Sequence, residues 1–195
     1  MLEQLLALPT LELAPRLLGA ELIHESPEGI TIGRIVEVEA YRGPEDRAAH
    51  SFGGRRTART EVMFGPPGHL YVYRSYGIHL CCNVVSAPVG KPEAILIRAL
   101  EPLEGLDLMA ARRRLPLSRA REFCNGPGKL TQAMGIGMEH YGHDLRKPPL
   151  RLRVGDFRPQ PEQIERGPRI GIDRSGEAKF YPWRFWIGGN RYVSR

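Results

Sequence analysis

The sequence predicts an α+β fold: one domain, residues 1–195, built around a mainly antiparallel sheet. Three observations predict it. Runs that alternate with a period of two lie toward both ends of the chain, a largely helical pattern fills 102–140, and the βαβ alternation of a parallel sheet is absent. Forty-two per cent apolar and 26% charged residues are ordinary for a globular protein, so the chain can bury a full core.

The N-terminal stretch MLEQLLALPTLELAPRLLGAEL reads as one or two short amphipathic helices, with Thr10 as a plausible N-cap. Glu3 stands where a secretory signal needs positive charge, and Pro9 and Pro15 interrupt the apolar runs well short of a membrane span. ELIHESPEGITIGRIVEVEAY looks like two strands joined at the PEG turn. In its second half Val36, Val38 and Ala40 point one way and Glu37, Glu39 and Tyr41 the other, as in a half-buried strand. The Gly-Pro pair after Tyr41 ends that strand. A loop then runs to about Pro67, and HLYVYRSYGIHLCCNVVS reads as a β-hairpin turning at RSYG. EAILIRALEP is a further strand. PLEGLDLMAARRR and GPGKLTQAMGI look helical, and PRIGID and RFWIGG look like closing strands.

A net charge of +6 and a pI near 9.5 favour an anionic partner. Of the 28 basic residues, all but Lys91, Lys129, Lys147 and Lys179 are arginine. They cluster without intervening acids in GGRRTAR, 53–59, and RRRLPLSRAR, 112–121. Such stripes are the footprint of nucleic-acid binding, and a solvated charged face is the plainer alternative. Cys81, Cys82 and Cys124 leave one thiol over from any pairing and are too few for an iron–sulfur cluster, so a reducing cytosol is expected.

The hairpin is the most informative segment. Tyr71 and Tyr73 share a strand face, and Tyr76 sits in the turn, where an exposed aromatic is suited to inserting into something. CNGPGKLT lacks the spacing of a Walker loop, yet a Gly-Pro-Gly helix start with Lys129 suits one phosphate. His140 and His143 in EHYGHD resemble half of a metal site without a second half, and the Ser-His-Asp elbow G-x-S-x-G is missing.

Together VEVEAYRGPEDRAAHS, MFGPPGHLYVYRSYGIHLCCNV, ILIRALEPLEG, CNGPGKLTQAMGI and PRIGID closely resemble the alkyladenine (3-methyladenine) DNA glycosylase family, from about Leu11 to the C-terminus. The resemblance implies a curved, partly closed antiparallel sheet with surrounding helices, a protruding hairpin that enters DNA, and neither metal nor cofactor. It makes Glu39 the carboxylate that activates water, with Arg98 and the backbone carbonyl of Ile170 holding that water. It places the flipped base between Tyr41 and Tyr73, with His50 at its edge and Asn83 crowding the amino group of normal guanine. Tyr76 would fill the gap in the duplex. The implied partner is double-stranded DNA containing damaged purines, met by a monomer in the cytoplasm at the nucleoid.

Physical chemistry agrees with these roles. Two tyrosine faces attract a cationic alkylated purine, and one carboxylate can serve an oxocarbenium-like transition state. A nearby Arg98 is expected to keep Glu39 ionised. The motifs around Glu39 hold no lysine, which points to a monofunctional enzyme that leaves an abasic site. A catalytically silent binder of damaged or bent DNA is the alternative, and Glu39 discriminates against it. A metal-dependent hydrolase using His140 and His143 is the third reading.

Overall fold

The structure, a computed structural model, describes residues 1–194. Eight strands form one antiparallel sheet: β1 Glu21–Ser26, β2 Gly29–Tyr41, β3 Leu70–Ser75, β4 His79–Val85, β5 Ala94–Glu104, β6 Leu150–Arg153, β7 Ile164–Gly167 and β8 Arg184–Ile187. The order is β3-β4-β5-β2-β1-β6, and β8 adds to β2 with β7 outside it. The 13-residue β2 organises the sheet. Its first half pairs with β1 and its second half with β8, while β5 runs along its other edge with irregularities around Ile35–Val38. Changing partners along one edge forces the sheet to curl, because bulged strands bend and twist more strongly.

Helices α1 Leu2–Leu6, α2 Thr10–Arg16, α3 Leu106–Arg113 and α4 Pro127–Met134 cover the convex side. There Leu13, Ala14, Leu17, Leu130 and Met134 pack on Val36, Val38, Val72, Val84, Ile95 and Ile97, so one face of each strand enters a continuous apolar core. The opposite residues of β2–β5 are left to line the concave side. No helix among the described residues is long and apolar enough to cross a membrane.

Several sequence expectations need correction. The second half of β2 is buried on both faces rather than half-buried: Glu37 and Glu39 are both 0% exposed, because the curl folds other charged groups over them. Thr10 is inside α2 behind Pro9, and its hydroxyl turns inward to Ser86 and Glu93. Pro102–Glu104 still belongs to β5, and 117–122 forms 3-10 turns, so the middle third is less helical than its pattern suggests. PRIGID is not a strand. Pro168 has no N–H to give a ladder, Arg169 points inward, and the Ile170 N–H serves a side chain instead. Strands β6 and β7 were not anticipated.

Candidate active site

The concave side holds a cleft of about 910 Å³ whose lining includes Tyr41, His50, Tyr73, Tyr76, Asn83, Arg98 and Ile170. Strand register explains the convergence. Glu39 on β2 lies opposite Leu96 on β5, Leu96 opposite Asn83 on β4, and Asn83 opposite Tyr71 on β3, forming one row across four strands. Tyr41 and Tyr73 follow two residues along their strands, on the same face.

Glu39 sits at the centre with no exposed surface, two hydrogen-bond donors and an arginine ion pair. The Ile170 N–H donates to Oε1 at 2.7 Å, the Tyr41 hydroxyl to Oε2 at 2.8 Å, and Arg98 lies 3.3 Å from Oε1. Burial raises the Glu39 pKa above the usual carboxylate range, and Arg98, the Ile170 amide and Tyr41 pull it partly back. Arg98 therefore moderates a burial effect rather than setting a low pKa outright. Tyr41, raised well above its ordinary value first by burial and then by Glu39, stays protonated as a donor.

Glu37 is the neighbour that sequence reasoning did not use. It is buried and accepts from Arg184 at 2.6 Å, Arg98 at 3.1 Å, and the backbone and side chain of Ser194 at 2.7 and 2.9 Å. Its lone pairs are committed to protein donors, so it anchors Arg98 against Glu39 and ties down the C-terminal segment. The E-x-E spacing of β2 carried this signal; nothing in the sequence pointed to Ser194.

A second buried constellation holds Tyr41. The side chains of Arg169 and Asp46, both without exposed surface, form a bidentate pair at 2.5 and 2.8 Å. Arg169 also donates to the Ala40 carbonyl at 2.9 Å and stacks on the Tyr41 and Trp183 rings. Asp46 accepts the Arg42 and Ala48 N–H groups, so the turn after β2 is fixed by the same ion pair.

On the other wall, His50 Nδ1 is 2.9 Å from the Tyr71 hydroxyl, and its ring meets Tyr73 edge-on at 4.6 Å. Burial in the cleft, then Arg59, lowers the His50 pKa to about 4; its partly open edge moderates that effect. Asn83 is buried and donates to the Tyr71 carbonyl at 3.1 Å.

Tyr76 stands at the hairpin tip, 90% exposed, and the turn is closed by Ile78 N–H to the Ser75 carbonyl at 3.0 Å. Both central residues have positive φ, 48° at Tyr76 and 72° at Gly77. That conformation suits Asn-Gly, and a tyrosine in it costs roughly 1–2 kcal/mol. The strain falls on a side chain that is almost wholly exposed, so core packing does not account for it.

Lys129 lies apart from the cleft. It is exposed in the first turn of α4, 2.9 Å from Asn125 Oδ1. Gly128 beside it is required by packing, since a Cβ there would meet His79 Cβ at 2.9 Å, so the Gly-Pro-Gly start docks α4 against the hairpin. Of the arginine stripes, 112–121 is largely engaged within the fold, by Glu28, Gln132 and Glu122 among others. His143 Nε2 faces the Lys147 and Leu150 carbonyls, and the Gly137 N–H donates to His140 Nδ1. Those nitrogens are spent on backbone. Among the described residues no cluster of three or more His, Cys, Asp or Glu is placed to hold a metal.

Comparison with known proteins adds to this geometry. The family model of the methylpurine-DNA glycosylases matches residues 4–191. The chain is 57% identical over 187 residues to a Bacillus velezensis protein, covering 96% of this chain and 92% of that one. It is 55% identical over 185 residues to a Bacillus subtilis protein, covering 95% and 91%. It is 51% identical over 193 residues to an Oceanobacillus iheyensis protein, covering 99% and 94%. All three are provisionally named 3-methyladenine DNA glycosylase.

Proposed function

This chain belongs to the methylpurine-DNA glycosylase family, and on that premise we propose that it flips a damaged purine into the cleft and hydrolyses the glycosidic bond with water activated by Glu39. It is a DNA glycosylase of the methylpurine type, an enzyme rather than a silent binder. The observation that carries the mechanism is the fully buried Glu39, held by two hydrogen bonds and the Arg98 ion pair beside an aromatic-walled cleft.

In the proposed reaction the base stacks between Tyr41 and Tyr73, and Asn83 crowds the exocyclic amino group of guanine. Water oxygen attacks the anomeric carbon, the bond to the base nitrogen breaks with its electrons leaving on the base, and the water proton passes to Glu39. Oε2, whose protein partner is the Tyr41 hydroxyl, has a lone pair for that water, and Arg98 with the Ile170 carbonyl completes its cradle. The carboxylate also stabilises positive charge developing on the sugar. A purine alkylated at N3 or N7 leaves as a neutral molecule, which makes it the better leaving group.

Tyr76 fills the vacated stack, Lys129 meets a phosphate, and the enzyme works as a monomer of one unit, 1–195, on damaged double-stranded DNA at the nucleoid. No lysine lines the cleft among the described residues, which supports hydrolysis to an abasic site over Schiff-base cleavage. Candidate substrates are 3-methyladenine, 7-methylguanine, hypoxanthine and ethenoadenine. The test is release of free base from duplexes each carrying one of these lesions; release from none of them would overturn the reading.

A further inference from the structure

Both tyrosines that face a base already stack against guanidinium groups. Arg169 Cζ lies 4.6 Å from the Tyr41 ring centroid and Arg59 Cζ 4.9 Å from that of Tyr73. The two arginines differ in charge balance. Arg169 is neutralised by the buried Asp46. Arg59 forms no ion pair with a carboxylate among the described residues, and its other partners in the cleft are neutral: His50 Nε2, at 3.3 Å, and the Tyr71 hydroxyl. A guanidinium has no acceptor, so Arg59 donates and His50 Nε2 accepts. His50 is then neutral, with its proton on Nδ1 toward the Tyr71 hydroxyl 2.9 Å away.

We propose that Arg59 sets the charge selectivity of the pocket: its uncompensated cation engages the Tyr73 ring and holds His50 neutral, so neutral purine lesions gain on cationic ones. The inference rests on the glycosylase reading above and concerns which lesions that site prefers. A ring quadrupole attracts a cation, but density already drawn toward Arg59 has less to offer a second one, and the like charges repel across the cleft, weakened by the solvent that the exposed Arg59 meets. Arg59 acts on His50 in the same sense, adding to burial in lowering its pKa. A positively charged base against Tyr73 meets the same field. Two bare tyrosines would be a trap for alkylated cations; this pair, with one wall electrostatically occupied, also admits neutral lesions recognised by shape and stacking.

The test compares 7-methylguanine, cationic in DNA, with hypoxanthine, neutral, in otherwise identical duplexes. Single-turnover release is measured for the wild type, Arg59→Gln and Arg59→Lys, and binding is measured in parallel with 2′-fluoro sugars that block hydrolysis. The ratio of cationic to neutral turnover is expected to rise about five- to tenfold in Arg59→Gln, which keeps a donor for His50 but not the charge, and to stay near wild type in Arg59→Lys. Equal loss on both lesions would mark a purely structural role and overturn the proposal, as would an unchanged ratio in Arg59→Gln. Arg59→Met, read by the same ratio, covers misfolding of the Gln variant. A wild type that releases neither base would overturn the glycosylase reading instead, and the binding ratio would still decide the role of Arg59.

Discussion

The Ile170 amide and the Glu39 carboxylate are 131 positions apart in the chain and meet at 2.7 Å. The contact brings a loop from the C-terminal third onto the middle of β2, and it spends an N–H that a closing strand would have given to its neighbour. With Tyr41 and Arg98 it surrounds a carboxylate that is buried from bulk solvent. The consequences can be measured.

Glu39→Gln is expected to lower excision at least about hundredfold, since the amide keeps the shape but cannot take a proton. Lesion binding should be largely spared. Single-turnover kinetics beside a binding isotherm decide it, and substantial excision by the variant would remove Glu39 from the mechanism.

The pH dependence follows from the raised Glu39 pKa. A base works deprotonated, so activity rises with pH through its pKa, and burial places that acid limb above the ordinary carboxylate value of 4.5. Tyr41→Phe keeps the ring but removes the hydroxyl that favours the ionised form. Its acid limb should move to higher pH; a limb that stayed put or moved down would contradict the assignment.

Tyr76→Asn and Tyr76→Ala separate folding from flipping. Asn tolerates the left-handed conformation, so the Asn variant should be no less stable than wild type in thermal unfolding. Both variants should lose excision on duplexes, because stacking on an aromatic is worth roughly 1–3 kcal/mol per base. A 2-aminopurine beside the lesion reports the flipped population. Normal flipping in both variants would leave the hairpin tip without this role.

Arg169→Met leaves Asp46 as a buried charge without its partner. A cost of about 3–5 kcal/mol is expected in urea unfolding, the usual penalty for breaking a buried pair. A loss below 1 kcal/mol would show that Asp46 finds compensation from the Arg42 and Ala48 amides alone.

Excision is expected to be unchanged in excess chelator and in His143→Ala, because the His140 and His143 nitrogens described above are held by backbone. Loss of activity in chelator, restored by zinc, would bring back the hydrolase reading.

Much of this was legible in the chain itself. Local alternation marked β2 and the hairpin, because a period of two needs no partner to be recognised, a nearly unbroken apolar run marked β5, and a Gly-Pro pair marked where β2 stops. The order of motifs pointed to Glu39, Tyr41, Tyr73 and Asn83, which the sheet register then brought onto one concave face. The sequence could not say that Glu37 and Glu39 are buried, since an exposed and an interior carboxylate alternate alike until Arg98, Arg184 and Ser194 arrive from distant segments. Nor could it separate the arginines, which look equivalent in a stripe. Arg112 finds Glu28 84 positions away, Arg169 finds Asp46 123 positions away, and Arg59 finds an aromatic ring and a histidine instead. Which charges are cancelled and which remain in the cleft is set by contacts between residues far apart in sequence, and only the tertiary fold decides those.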